Sequence, residues 1–452
     1  MNAKLTLLTL LVSCLAAGPL AAYPLDAYPE TGIKRLEAFR VLGRVLPEGA
    51  MLPSEGVTLR LENYPNFEIP AADPELSTAI VETLGADAPH YGVVLLDITD
   101  PANPRYAAHN PDRTQNVGSV GKIMVDLAWF QALADLYPDA EERKRFLKNT
   151  TFRANEFIRN DSHKVPFWEP GDQTVVRRPI EERDGGNLYT WFDWMNSASS
   201  NAAASMMMEE LILLKHFGKD YPVSEEKANK FFRDTPKEKL SKIFQDAMMK
   251  PIRRNGLDPG KLRQGSFFTR EGKARVPGTS SYGSPVEMLR YLVLVEQGKL
   301  VDPFSSLEIK KMLYGTDFRM RYGASPALEE SAVYYKSGSL YSCKPEKGYT
   351  CEKYKGNRWN YLSSMTTIES TDRQPALDYI VVVISNVLKK DSAEEHKNLA
   401  TRIQALMESL HPELLVNPGT DTEDKPLMND PFSRRGSASP AVAAPAPSRS
   451  QR

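Results

Sequence analysis

The stretch Tyr379-Ile-Val-Val-Val-Ile-Ser385 is the clearest β-strand signal in the chain, because β-branched residues fill most of it. Much earlier, Tyr91-Gly-Val-Val-Leu-Leu-Asp-Ile98 predicts another strand, and Arg105-Tyr-Ala-Ala108 is expected to return beside it as a hairpin. A long block of helical patterns separates the early strands from the late ones. Early and late strands can pair only if that block is an insertion into one sheet. The order therefore predicts an α+β fold in which a sheet carries an inserted all-helical subdomain.

Further elements surround this central sheet. Strands are predicted at 333–341 and 361–368, close to the clearest one. A helix is predicted from Pro74 to about Leu84, and a final amphipathic helix from Ser392 to about Leu410. The two helices would flank the sheet at the beginning and end of the fold. A cleft is expected where the sheet meets the helical subdomain.

Composition excludes several classes of protein. The 452 residues are 41% hydrophobic and 25% charged, which is typical of a globular chain and not of a disordered one. Because 57 Lys and Arg balance 58 Asp and Glu, the chain lacks the basic excess of a general nucleic-acid binder. No segment has the roughly 20 consecutive apolar residues of a transmembrane helix. We predict neither a nucleic-acid partner nor a membrane span.

The first residues resemble an export signal. Lys4 precedes a short apolar run and the small residues that end at Ala22, so cleavage after Ala22 is predicted, with a secreted or periplasmic product. The competing prediction is a lipoprotein box at Leu11-Val-Ser-Cys14, in which Cys14 would carry a lipid anchor in the cell envelope.

Four segments are predicted in all. Residues 1–22 form the signal peptide, and residues 23–74, rich in Pro, Glu and Gly, form an N-terminal extension with a short helical stretch near 33–41. Residues 75–416 form the main domain. Residues 417–452 form a disordered tail, because a Pro-, Ser- and Ala-rich segment cannot bury enough apolar surface to order itself.

Two cysteines remain after the signal, in Cys343-Lys-Pro-Glu-Lys-Gly-Tyr-Thr-Cys351. They flank a Pro/Gly turn, so in an oxidising compartment we expect a disulfide that closes a small loop. The alternative is a pair of reduced thiols without a role. The six histidines are scattered, and no Cys/His cluster has the spacing of a metal site.

The first candidate for chemistry is Ser119-Val-Gly-Lys122 at the start of a predicted helix. Positions i and i+3 share a helix face, so the hydroxyl and the amine can meet. Burial would lower the pKa of Lys122 and make it a base that activates Ser119. The same spacing at Ser224-Glu-Glu-Lys227 lies in a charged run, where a solvated helix face is the better interpretation.

Two other short motifs follow. Ser199-Ser-Asn201 precedes an Ala/Met-rich helix and could simply be its N-cap. Lys336-Ser-Gly338 lies inside a predicted strand, where a lysine that reaches solvent and a glycine bulge are the ordinary explanation.

The three motifs in this order resemble the active-site serine penicillin-recognising enzymes, which include class A β-lactamases and D-alanyl-D-alanine carboxypeptidases and transpeptidases. The resemblance extends over about residues 75–412. Trp194-Met195 before Ser199 is similar to the family's Ser-Asp-Asn helix, and Thr279-Ser-Ser-Tyr-Gly-Ser-Pro285 to its Thr-rich turn. The resemblance implies a β-lactamase/transpeptidase-like fold with an antiparallel sheet, and a reaction without a metal or organic cofactor.

The resemblance also implies a role for each motif residue. Ser119 would be the acylated nucleophile and Lys122 its base, while Ser199, assisted by Lys336, would pass a proton to the leaving nitrogen. Asn201 would bind the substrate's amide side chain. Contact with the substrate carboxylate would fall to Ser337 beside Gly338, and the backbone amides of Ser119 and Ser339 would form the oxyanion hole.

The sequence departs from the family pattern in three places. Ser200 replaces the Asp of Ser-Asp-Asn, and Ser337 replaces the usual Thr. The class A Glu-x-x-x-Asn loop, whose Glu activates the deacylating water, has no clear match. Glu271 lies at about the right distance along the chain but has no Asn four residues on, and Glu225-Glu-Lys-Ala-Asn229 has the spacing but comes too early. Fast β-lactam hydrolysis is therefore less expected than acylation.

We accordingly expect an exported serine acyl hydrolase or transferase whose substrates are β-lactams or D-Ala-type cell-wall peptides. A catalytically silent cell-wall-binding protein of the same fold is the main alternative, although such a binder could lose any of the motif residues. An amidase or esterase on another small substrate is the third alternative. Glutaminases are similar in their Ser-x-x-Lys site, but export argues against that assignment.

Overall fold

The computed structural model describes residues 47–414, except residue 53 and residues 168–175, 316–318 and 372–376. The predictions for the signal peptide, the Cys14 anchor, the stretch near 33–41 and the tail at 417–452 lie outside the described residues. The same holds for residues 23–46 and 53 of the predicted N-terminal extension.

One five-stranded antiparallel sheet organises the fold. Its strands are β1 (Tyr91–Asp97), β2 (Arg105–His109), β9 (Ser331–Ser342), β10 (Trp359–Ser370) and β11 (Asp378–Asn386). They lie side by side in the order β2-β1-β11-β10-β9. The first strand of the described chain pairs directly with the last, with Leu95 opposite Val381. The predicted sheet with an insertion is thus confirmed.

Helices cover both faces of this sheet. The alternation along β1 sends Val94 and Leu96 into one core and Val93 and Leu95 into another. Both faces of the strand are therefore apolar, which explains why its sequence is a continuous hydrophobic run. Helix α1 (Pro74–Leu84) and the last helix, Ser392–Leu410, pack on one face, with the ends that the sequence predicts.

The inserted block packs on the opposite face. Its α-helices are α2 (Lys122–Leu136), α3 (Ala140–Asn149), α4 (Leu188–Asn196), α5 (Asn201–Phe217), α6 (Glu225–Asp234), α7 (Lys237–Arg254), α8 (Arg270–Arg275), α9 (Pro285–Glu296) and α10 (Pro303–Tyr314), and the last helix is α11. Helix α2 is buried on every side from Lys122 to Leu133, which is typical of a helix at the centre of a domain.

Short paired strands interrupt the helical block, and the sequence did not predict them. They are β3 (Thr151–Arg153) with β6 (Gly185–Asn187), β4 (Lys164–Phe167) with β5 (Val176–Pro179), and β7 (Leu262–Arg263) with β8 (Tyr282–Gly283). Strands of two to four residues have no measurable periodicity, so only their long-range pairing defines them.

Residues 47–70 run across the main domain instead of standing apart from it. Leu61 is fully buried, and its backbone N–H donates to Glu296 O over 3.0 Å. The Arg60 side chain forms an ion pair with the buried Asp378. The hydroxyl of Tyr314 donates to Gly49 O over 2.9 Å. This segment therefore contributes to the core of the described chain.

Within the described ranges, no helix is long and apolar enough to cross a membrane. The predicted disulfide between Cys343 and Cys351 is present, with the two Cα atoms 6.2 Å apart.

Candidate active site

Ser119 lies in a single 3₁₀ turn, Gly118–Gly121, that leads directly into α2. Gly118 has φ +56°, a left-handed conformation that glycine adopts without strain. Upstream of the turn, the Gln115 side chain donates to Leu362 O on β10 over 3.1 Å. The turn is thus attached to the sheet beside β9.

Close contact between this turn and β9 explains why residue 338 is glycine. A Cβ atom at Gly338 would lie 2.1 Å from Val117 O and 2.5 Å from Ser119 N, closer than nonbonded atoms approach. The contact brings the backbone amide of Ser119 next to the strand that carries Ser339. The glycine of the third motif is therefore required by the approach of two backbones.

Lys122 is completely buried and connects the first two motifs. Its Nζ lies 2.8 Å from Ser119 Oγ, 3.1 Å from Ser199 O and 2.9 Å from Asn201 Oδ1. Burial, reinforced by the positive charges of Lys336 and Arg321, lowers the pKa of Lys122 well below its ordinary value. A neutral amine has two hydrogens for the two carbonyl oxygens and a lone pair for the Ser119 hydroxyl. The geometry thus fits a general base.

The second motif occupies the N-terminus of α5. Ser200 is the N-cap, with its Oγ accepting from Ala203 N over 3.1 Å. Ser199, just before the cap, has φ +57°, which costs energy for a residue with a side chain. The strained backbone lets Ser199 contact Lys122 through its carbonyl and Lys336 through its hydroxyl.

A carboxylate lies beside Ser200 although the motif itself lacks one. Asp161 accepts from Ser200 Oγ over 3.0 Å, from Ala202 N over 2.8 Å and from His163 Nδ1 over 2.5 Å. Burial raises the pKa of Asp161. The hydrogen bonds and charge of His163, together with the hydrogen bond from the Ala202 amide, outweigh this effect and bring the pKa to about 2. An ionised Asp161 therefore holds the start of α5 in position.

Lys336 brings the third motif to the second. Its Nζ donates to Ser199 Oγ over 2.8 Å, and the residue is only 4% exposed. Burial and the nearby Arg321 guanidinium lower the pKa of Lys336 to about 7, although Asp126 partly opposes them. An amine with this pKa can give and take a proton near neutral pH.

Asp126 lies behind the site on α2. It accepts from Asn196 Nδ2 over 2.9 Å, and among the described residues its other oxygen has no hydrogen-bond partner. Complete burial raises the pKa of Asp126 to about 7 even though Asn196 and Lys336 act in the opposite direction. This buried carboxyl therefore contacts the site through Asn196.

Arg321 lines the site as well, although no sequence motif marks it. Its Nη1 donates to Ser337 Oγ over 2.8 Å and its Nη2 to Ser339 Oγ over 3.1 Å, so the guanidinium bridges alternate side chains of β9. Its backbone φ of +53° is again left-handed. A guanidinium held in this way is a ready binding site for a carboxylate.

These groups surround one cavity of about 240 Å³. It is lined by Ser119, His163, Asn196, Ser197, Ala198, Ser199, Asn201, Met320, Arg321, Tyr335, Lys336, Ser337, Ser339, Lys353 and Tyr354. Lys122 lies directly behind Ser119, and Gly338 forms the backbone contact described above. The structure therefore brings together every predicted catalytic and substrate-binding residue of the three motifs.

The two glutamates considered for deacylation lie elsewhere. Glu271 on α8 accepts from Arg275 Nε over 2.7 Å and is not among the residues that line the cavity. From the same segment Phe268 faces the site, with its ring centroid 4.4 Å from Lys122 Nζ. Glu225 lines a separate cavity beside α6. Ser224, from the second Ser-x-x-Lys copy, is the N-cap of α6, and residues 224–227 are exposed, as expected for a solvated helix face.

The residues that sequence reasoning missed share one property. Asp161, Arg321 and Tyr354 lie in loops or a short 3₁₀ turn without a motif or a period, and each reaches the site from a distant part of the chain. No motif or period in the sequence marks them, because long-range packing brings them to the site. Among the described residues, no group of His, Cys, Asp or Glu could hold a metal ion.

Comparison with protein-family models found no match, and comparison with curated proteins found none either. Several solved structures are similar to the chain. PBP-A is 12% identical, with a TM-score of 0.47 over 76% of this chain and 100% of that one. A β-lactamase from Sphaerobacter thermophilus is 16% identical, with a TM-score of 0.48 over 76% and 98% of the two chains. A β-lactamase from Chitinophaga pinensis is 13% identical, with a TM-score of 0.45 over 74% and 98%.

Proposed function

We propose that this chain is an exported serine acyl hydrolase or transferase of the penicillin-recognising type, which forms an acyl-enzyme at Ser119. One observation carries the proposal: two buried lysines each contact a serine hydroxyl at 2.8 Å, Lys122 at Ser119 and Lys336 at Ser199, around a single cavity. Acyl transfer needs a nucleophile with a base to activate it and an acid to protonate the leaving group, and the two pairs supply these groups.

Acylation begins at Ser119. As its Oγ bonds to the substrate's carbonyl carbon, its proton passes to the neutral Nζ of Lys122, 2.8 Å away. The carbonyl oxygen takes on negative charge, which backbone amides of Ser119 and Ser339 would stabilise. Preorganised amide donors of this kind contribute several kcal/mol to acyl transfer.

The leaving nitrogen needs a proton when the C–N bond breaks. Ser199 Oγ gives its own proton to that nitrogen and takes one from Lys336 Nζ, its hydrogen-bond donor. Lys336 is suited to this exchange because its pKa is about 7. The products are the Ser119 ester and the free amine, and Lys122 holds the proton of the nucleophile until deacylation.

Substrate binding follows from the remaining groups. Asn201 uses its Oδ1 on Lys122, so its amide nitrogen is the group left for a carbonyl of the acyl side chain. Ser337 and Arg321 present hydroxyl and guanidinium donors to a carboxylate. A β-lactam or a peptide ending in D-Ala carries both an amide and a carboxylate, which supports these substrate classes.

Deacylation is expected to be slow. Within the described part of the chain, no Asp or Glu lines the cavity. Without a carboxylate to activate water, the ester at Ser119 should accumulate or pass to another acceptor.

The test is intact-protein mass spectrometry of the mature chain after incubation with benzylpenicillin, with Ser119→Ala as the control. We expect an adduct of the drug's mass that is absent in the variant. Hydrolysed drug without an adduct would indicate a working β-lactamase. Unchanged drug and no adduct would favour the silent binder or a different substrate class.

A further inference from the structure

The loop at 343–358, between β9 and β10, forms the outer wall of the cavity through Lys353 and Tyr354. Covalent and hydrogen bonds within the loop hold its segments together. The Cys343–Cys351 disulfide joins its first half, and Asn357 bonds both backbone groups of Lys344, accepting over 2.8 Å and donating over 3.0 Å. This part of the wall is therefore built into the fold.

Tyr354 has a strained backbone within this loop. Its φ is +65°, and its carbonyl oxygen is held by the backbone N–H of Ser392 over 3.0 Å and by the Ser392 hydroxyl over 3.3 Å. Ser199 and Arg321, which also line the cavity, have left-handed backbones as well. Strain of this kind persists where the surrounding structure enforces it, and it concentrates at functional sites.

The phenol of Tyr354 contacts the Arg321 guanidinium. The Tyr354 hydroxyl accepts from Arg321 Nη2 over 3.2 Å, and the guanidinium carbon lies 5.1 Å from the ring centroid. Lys353 Nζ lies 4.9 Å from the same ring. Burial raises the pKa of the Tyr354 phenol, but the charges and hydrogen bonds of Arg321 and Lys353 outweigh it and bring the pKa below its ordinary value.

The hydroxyl hydrogen of Tyr354 is left for a ligand. A tyrosine hydroxyl both accepts and donates, whereas Arg and Lys only donate. Its two cationic neighbours can use only its oxygen. In the described ranges no acceptor forms a hydrogen bond with it, although the residue lines the cavity. The donor faces a wall that carries Arg321, Lys336 and Lys353, so its natural partner is an anionic oxygen.

We propose that Tyr354 is a substrate-binding residue that donates its hydroxyl hydrogen to the substrate carboxylate and makes the site select free carboxylates over their esters. The inference rests on the proposed function and adds to it a residue that recognises the carboxylate end of the substrate. Arg321 supplies the charge, and Tyr354 supplies a directional donor that a neutral ester uses poorly.

The test compares Tyr354→Phe, which removes only the hydroxyl, with Tyr341→Phe. Tyr341 is the matched control, since its ring lies 6.3 Å from that of Tyr354 but it does not line the cavity. The probes are benzylpenicillin and its methyl ester, and the readout is the second-order rate constant of acylation at Ser119. We expect Tyr354→Phe to lower it about 10-fold or more with the acid, the size of a hydrogen bond to a charged group, and far less with the ester.

Equal losses with both probes would mean that Tyr354 only supports the loop, and no loss would mean that it does not touch the substrate. Either result overturns the proposal. A second measurement is the noncovalent affinity of Ser119→Ala for benzylpenicillin, with and without Tyr354→Phe. If the wild type is never acylated but Tyr354→Phe still weakens this binding about 10-fold, the proposed function fails and the role of Tyr354 stands. If the wild type is never acylated and Ser119→Ala does not bind the drug either, both fail.

Discussion

At the scale of single residues, the proposed mechanism uses two lysines of one site in different ways, Lys122 as a base and Lys336 as an acid. Lys122 is completely buried and bonds two carbonyl oxygens, which leaves its lone pair for Ser119. Lys336 contacts a hydroxyl that must deliver a proton. Both amines are desolvated, so burial does not distinguish them. The proposed difference in role follows from their different hydrogen-bond partners.

The pH dependence of acylation tests this division. Lys122 must be neutral and Lys336 protonated, so the acylation rate constant should rise on the acid side and fall above a midpoint of about 7, the pKa of Lys336. In Lys336→Arg the guanidinium stays protonated, so the alkaline decline should be absent up to about pH 9 even if the rate is lower. Stopped-flow acylation from about pH 5 to 9 measures both. An alkaline decline unchanged in Lys336→Arg would contradict the assignment.

Asp126 offers a prediction about stability. Its folded pKa of about 7 is above the unfolded value of 3.8, so the unfolded chain loses the proton first and the folded state is penalised increasingly as pH rises between the two values. The penalty is complete above about pH 7. The free energy of unfolding of Asp126→Asn, relative to wild type, should therefore increase by on the order of 3 kcal/mol from about pH 4 to pH 8.

Urea unfolding at the two pH values measures this difference. The measurement at about pH 4 is the internal control, because Asp126 is neutral in the folded state there and the penalty has only begun to develop. A difference between the variant and the wild type that does not change with pH would show that folding does not raise the pKa of Asp126.

At the scale of elements, the site depends on the distance between β9 and the 118–121 turn. Gly338 allows that distance because it has no Cβ to meet Val117 O and Ser119 N. Gly338→Ala should push the strand away from the turn and separate Lys336 from Ser199. Since displacements of about 1 Å can cost about 100-fold in rate, we expect at least that loss of acylation.

The control for Gly338→Ala is Ser342→Ala at the far end of the same strand, which does not line the cavity. Circular dichroism would establish that both variants fold. Acylation of Gly338→Ala at the wild-type rate would mean that the turn and the strand can separate without damage to the site.

At the scale of the whole molecule, a buried charge network joins the N-terminal segment to the sheet. Lys310 on α10 is 1% exposed, donates to Glu296 over 2.7 Å and to Thr58 O over 2.7 Å, and also pairs with Glu369 on β10. The network connects three distant parts of the chain: residue 58, the consecutive helices α9 and α10, and strand β10. It attaches the N-terminal segment to the domain at Thr58.

Lys310→Met should therefore destabilise the folded protein strongly. The variant leaves Glu296 and Glu369 buried without their cation, a loss that typically costs about 3–5 kcal/mol. Lys250→Met is the matched control, because Lys250 is 71% exposed and its pair with Asp246 lies at the surface, where such pairs contribute at most about 1 kcal/mol. Urea denaturation of both variants gives the comparison, and equal losses would contradict a structural role for the network.

The sequence alone determined the elements with strong local periodicity and the three motifs. The helices Pro74–Leu84 and Ser392–Leu410 begin and end where their patterns predict. The five main strands appear with ends shifted by no more than a few residues, and their order along the chain was enough to predict one sheet with an insertion. These features are local, because apolar spacing and capping residues act within a few positions of the chain.

Only the tertiary structure decided which groups surround Ser119. Arg321, Asp161 and Tyr354 come from segments without a pattern, and Glu271 turns to Arg275 instead of the cavity. Long-range packing sets these positions, since the approach of two backbones or the burial of a charge depends on residues far apart in the sequence. The same burial lowers the pKa of each lysine, so the chemistry of the motifs exists only once the chain has folded.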